Sequence, residues 1–187
     1  MADIDFASPT AGFASPNFRH LAKIEPLLAS LGARAEHYVF DDANTALIKL
    51  RQFGEALAQQ VAASTGLLRV ANEQQIDRLR RLQDVGVVDR EVADLFHALR
   101  KVGNEANHGH VGSQREALHN LRIAWRLGVW FQQAFHDPQF RSGAFMPPPD
   151  PRDAELALKQ EPPQPTCSGV PGRRSAKRAT HSSPAPI

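Results

Sequence analysis

Val92, Leu95, Phe96, Leu99, Val102, Gly103 and Ala106 follow one another at steps of three and four residues. A strand repeats every second residue, so this pattern is the apolar stripe of a helix with one buried face. The same spacing returns in Leu47, Leu50, Phe53, Leu57 and Val61, and again in Leu118, Leu121, Trp125 and Val129. No segment alternates as a strand would. The chain therefore reads as all-α, a helical bundle of about five helices.

Residues 1–16, rich in Ala, Ser, Gly and Pro, form a flexible lead without the basic-then-apolar order of a signal peptide. Asn17 is placed to cap a helix running through Phe18 and Leu31, kinked at Pro26 and broken at Gly32, with a second short helix over Ala33 to Phe40. Asp41 and Asp42 open the next helix, and Ser64-Thr65-Gly66 ends it. Asn72 caps a shorter helix with Ile76, Leu79 and Leu82 inward and Arg78, Arg80 and Arg81 outward, closed by Gly86. Asp89 caps the helix carrying the first stripe, and Gly109 or Gly112 stops it. Ser113 and Glu116 have capping-box spacing, so the last helix begins there. Between Ile123 and Phe131 it is apolar on nearly every side, which predicts the central helix with Trp125 and Trp130 in the core.

The folded domain is expected over 17–137. Eleven of the fourteen prolines lie from Pro138 onward, so 138–187 reads as a Pro-rich, disordered tail. The single cysteine, Cys167, allows no disulfide within one chain and fits a reducing cytoplasm. No apolar run approaches a membrane span, since even Ile123 to Phe131 is interrupted by Arg126. A formal net charge of +2 does not by itself argue for nucleic acid.

Arg100, Asn104 and His108 recur every fourth residue, off the apolar stripe and on one side of the helix. A cation, an amide and an imidazole in one column suit phosphate binding or proton transfer. They equally suit a polar strut tying this helix to Glu36, Arg51 or Glu55. His108 and His110, with His97 and His119, do not make a metal site, because helix positions two apart diverge and no nearby carboxylate completes a set. No cofactor is expected.

Two blocks carry a resemblance: Ala46-Leu47-Ile48-Lys49-Leu50-Arg51-Gln52-Phe53-Gly54-Glu55, and Leu99-Arg100-Lys101-Val102-Gly103-Asn104-Glu105-Ala106-Asn107-His108-Gly109. Together with the aromatic last helix they resemble the N-terminal helical domain of unknown function in type I restriction enzyme R subunits and related DEAD/DEAH helicases. That domain is grouped with the HEPN-like superfamily. The resemblance runs from about Phe18 to Phe135 and into Phe145-Met146-Pro147-Pro148-Pro149. It implies a HEPN-like bundle whose partners are other restriction-modification subunits or DNA. HEPN RNases place an Arg and a His closer together than the seven residues separating Arg100 from His108. In an RNase of that kind His108 would be acid and base, Arg100 and Asn104 would hold the RNA phosphate, and a homodimer would complete the site.

In the larger family a helicase and a nuclease follow this domain. The chain has no GxxxxGK[ST] phosphate loop, no DEAD/DEAH box and no Asp…Glu-x-Lys nuclease set. The expected function is a non-catalytic interaction module, truncated or standing alone, with the metal-independent RNase as the alternative. The purified chain should neither turn over ATP nor nick plasmid DNA. ATP turnover abolished by a point change in this chain would contradict that reading.

Overall fold

The computed structural model describes residues 15–69, 73–108 and 112–152. By internal contacts the chain divides into Met1–Pro151 and Arg152–Ile187, and the five helices described below lie in the first. They are α1 (Pro26–Tyr38), α2 (Ala43–Ser64), α3 (Gln75–Asp84), α4 (Arg90–Asn107) and α5 (Gln114–Phe135), preceded by a 3-10 turn at Arg19–Leu21. No strand occurs among the described residues.

The start differs from expectation. Asn17 caps no long helix; instead the Ser15 hydroxyl accepts the N–H groups of Asn17 and Phe18 and donates to Glu36. Pro26 does not kink α1 but begins it, where its fixed φ suits the first turn and its missing N–H is not needed. Gly32 does not break α1. It lies against the Phe18 ring, and a Cβ there would sit 2.4 Å from Phe18 Cγ. The bare helix surface seats Phe18, which is fully buried and meets Phe53 edge-on at 5.5 Å.

The other ends follow the capping rules. Asp42 accepts from the Thr45 N–H at 3.0 Å, Asp89 from Val92 at 2.8 Å and Ser113 from Glu116 at 3.2 Å. Gly66 and Gly86, both at positive φ, follow α2 and α3. Asn72, Gly109, His110 and the tail from residue 153 lie outside the described residues.

The centre of the bundle is α2, not α5. It packs against α1, α3, α4 and α5, and Leu47, Leu50, Phe53, Leu57 and Val61 are all buried along it. Ala46, Gly54, Ala58 and Ala62 lie buried among them and let four neighbours approach. On α5 the apolar run exceeds the buried face, so Trp125 and Trp130 are only half-buried against the core. Trp130 meets Phe96 edge-on at 6.3 Å, and Trp125 meets Phe145 at 5.7 Å.

Chain beyond Asp137 also packs. The Asn17 amide donates to the Met146 carbonyl at 2.7 Å, and the Met146 N–H donates to Asn17 Oδ1 at 2.9 Å. Gln133 of α5 donates to the Phe140 carbonyl at 3.0 Å. Asn17 is 3% exposed and Met146 is largely in solvent, so the pair ties an exposed stretch of chain to a buried side chain. Asn17→Ala should cost about 1–3 kcal/mol, the loss of two hydrogen bonds worth about 0.5–1.5 kcal/mol each. Urea unfolding measures that loss, and early proteolytic cutting near residue 146 should accompany it. An unchanged midpoint and cutting pattern would show that the pair holds nothing.

Candidate functional site: a polar recess between three helices

The stripe that buries α4 also turns Arg100 and Asn104 toward α2 and the start of α3. There they line a recess of about 280 Å³ with Arg51, Glu55, Glu73, Gln74, Gln75 and Ile76. Arg51 and Glu55 are one turn apart on α2, as Arg100 and Asn104 are on α4, so two polar columns face across the space. Gly103 sets their spacing. A Cβ at position 103 would lie 2.3 Å from the Arg51 Cβ, so the stem of Arg51 rests on bare α4 backbone.

A clamp holds the floor. Arg81 grips Glu73 with both arms, Nη1 to Oε1 and Nη2 to Oε2 at 2.7 Å, and Nη2 also donates to the Leu67 carbonyl at 2.9 Å. This fork holds the Glu73 carboxyl below the usual range. Arg78 lies beside it, with Nε 3.6 Å from Glu73 Oε2 and Nη2 donating to the Glu73 carbonyl at 3.3 Å. The outward placement of Arg78 and Arg81 is therefore corrected. Arg78 is 1% exposed, Arg81 is half-buried, and Arg80 alone of the three stands in solvent, 3.8 Å from Asp77. The cause is Glu73 just before α3, an anion that makes burying two cations tolerable.

Closer to the opening the pairing is incomplete. Arg51 and Glu55 stand 3.9 Å apart and partly in solvent, which contributes little. Gln75 is 7% exposed, yet neither its amide oxygen nor its nitrogen has a hydrogen-bond partner among the described residues. Arg51 Nε and Arg100 Nε are likewise buried without one. Buried polar groups are nearly always bonded, so these four atoms depart from the usual pattern at this seam. The lining balances its two guanidinium groups, Arg51 and Arg100, with two carboxylates, Glu55 and Glu73.

The column read from the sequence divides here. Arg100 and Asn104 line the recess beside Arg51 and Glu55. His108 caps the C-terminus of α4, exposed and outside the lining. Glu36 lies elsewhere, bonded to Ser15, with its pKa raised by burial. His97, three residues before Arg100, has its pKa lowered by burial and by that cation. Among the described residues no group of three His, Cys, Asp or Glu could hold a metal, and no helix is long and apolar enough to cross a membrane. Sequence reasoning missed Glu73 and Gln75. Their only trace was an acid just ahead of an arginine-rich helix and an amide at its first position.

Part of the chain matches a family model. Residues 33–124, from within α1 to within α5 and so including the whole recess, match the model of a domain of unknown function, DUF4145. The chain is also 37% identical over 116 residues to the type I restriction enzyme EcoKI endonuclease subunit of Escherichia coli (strain K12). That alignment covers 62% of this chain and 10% of the relative's length. No solved structure matches the chain.

Gly103→Ala tests the close approach. Overpacking costs about 1–3 kcal/mol, against about 1 kcal/mol that alanine gains over glycine in a helix. A net fall in the urea midpoint is expected. A rise would mean that α2 and α4 separate freely and that Gly103 does not set the recess.

Proposed function

We propose that the helical domain is a non-catalytic interaction module of restriction defence. It is of the kind found at the front of type I R subunits, works in the cytoplasm and holds partner subunits or DNA. The HEPN-like grouping of the bundle belongs to this reading. The likeness to a restriction endonuclease subunit gives the setting. The position of His108 is the observation that carries the non-catalytic part. A general acid–base must reach its proton within hydrogen-bonding distance, and His108 stands exposed at a helix end, outside the recess that takes Arg100 and Asn104.

One pair of measurements tests this. His108→Ala should leave stability within about 0.5 kcal/mol, as exposed positions do, and neither protein should cleave RNA. If the wild type cleaves RNA and the variant loses about 10²–10⁴-fold of that rate, the domain is an RNase and His108 its acid–base group. The restriction setting is tested separately. The matched segment of the E. coli relative is exchanged for that of this chain, and restriction of unmodified phage is measured in cells. Restriction should persist. Its loss from a subunit still expressed and still hydrolysing ATP would count against a shared interaction role.

A further inference from the structure

A second and larger hollow lies beside α5. The turn after Ser15, the middle of α5 and the segment from Phe140 to Met146 enclose about 690 Å³, within the range of ligand clefts. The hollow is pre-built. The Phe140 carbonyl is fastened to Gln133 and Met146 to Asn17, so the connecting loop is held at both ends.

Its lining has a consistent chemistry. Arg19, Lys23 and Arg141 supply three exposed cations, and none of the lining residues is acidic. Trp125 and Phe140 supply aromatic surface, and His20 stacks on Phe140 with ring centroids 5.3 Å apart and planes 27° from parallel. Burial lowers the pKa of His20, which keeps that ring neutral at pH 7. At the margin Arg122 lies 5.8 Å over the Phe145 ring, which in turn meets Trp125. The recess of α2, α3 and α4 is different, because its cations are matched by Glu55 and Glu73.

Unmatched cations interleaved with aromatic rings suit a ligand that alternates negative charge with flat apolar rings. An acidic peptide or an anionic surface would use the cations and leave Trp125 and Phe140 idle. Duplex DNA offers phosphates but keeps its base faces stacked inside. We infer that this groove binds a short single-stranded stretch of nucleic acid, with phosphates on Arg19, Lys23 and Arg141 and bases against Trp125 and Phe140. The inference rests on the groove alone. It names one partner compatible with the restriction reading, and its failure would leave the phage result standing.

The test is fluorescence anisotropy of labelled oligothymidylate and oligouridylate of about 15 nucleotides, near the upper site size of single-strand binders. The full chain is titrated between about 50 and 200 mM salt, with duplex DNA of equal length as a third probe. Preference for the thymidylate or the uridylate tells DNA from RNA, and either should bind better than the duplex. Arg19→Ala/Lys23→Ala/Arg141→Ala alters only exposed side chains. It should weaken binding and flatten the salt dependence by about 0.7 in log–log slope for each phosphate that is no longer neutralised. Trp125→Ala should weaken binding by about 5- to 150-fold, the share carried by one base stack. If that variant does not fold, the triple variant alone decides. Absence of single-strand binding, equal binding of duplex, or binding unchanged in the triple variant would each overturn the proposal. The last would trace attraction to Arg173, Arg174, Lys177 and Arg178 instead.

Discussion

The close approach of Gly103 to the stem of Arg51 sets the rest of the site in place. Packed helices usually stand about 8–10 Å apart, at a distance fixed by the side chains between them. With no side chain at 103, α4 settles directly on α2. Residues around that point then face each other: Arg51 and Glu55 from one helix, Arg100 and Asn104 from the other. A one-residue change of phase on α4 would swing its polar column by about 100° and dissolve the recess.

That arrangement places charge where water is scarce, and α3 makes it tolerable. Glu73, on the loop before α3, is gripped by Arg81 and neighboured by Arg78. Removing one partner of such a cluster leaves an uncompensated buried charge, whereas the intact cluster is close to neutral in stability. The clamp is therefore better understood as positioning than as reinforcement. It brings the start of α3 against the α2–α4 seam and presents the unbonded amide of Gln75 to the space between them.

Much of this was legible in the residues. Period and caps reported on themselves: Asp42, Asp89 and Ser113 each bond the backbone as their spacing requires. Local rules failed where a distant residue decided the outcome. Pro26 and Gly32 look like breakers until Phe18 is known to fill the space over Gly32. Arg78 looks solvated until Glu73 is known to lie beneath it. The apolar run of α5 overstated its burial, because period describes one helix and not how many neighbours surround it. For the site, the step of four brought Arg100 and Asn104 together correctly. That step took no account of the helix end expected at Gly109 or Gly112, and the end at Asn107 is what leaves His108 outside. The groove beside α5 was hidden because its cations and rings come from segments 129 residues apart at the Asn17–Met146 pair.

That same pair has a topological consequence. Asn17 and Met146 bond reciprocally, so the points at which the chain enters and leaves the helical domain are adjacent. A domain entered and left at one place is a pendant loop on the polypeptide that carries it. It can be inserted into a longer chain, or excised, with little change in the spacing of the flanking parts. Joining the two points by a short linker and opening the chain elsewhere would give a circular permutant with the same bundle, the same recess and the same groove.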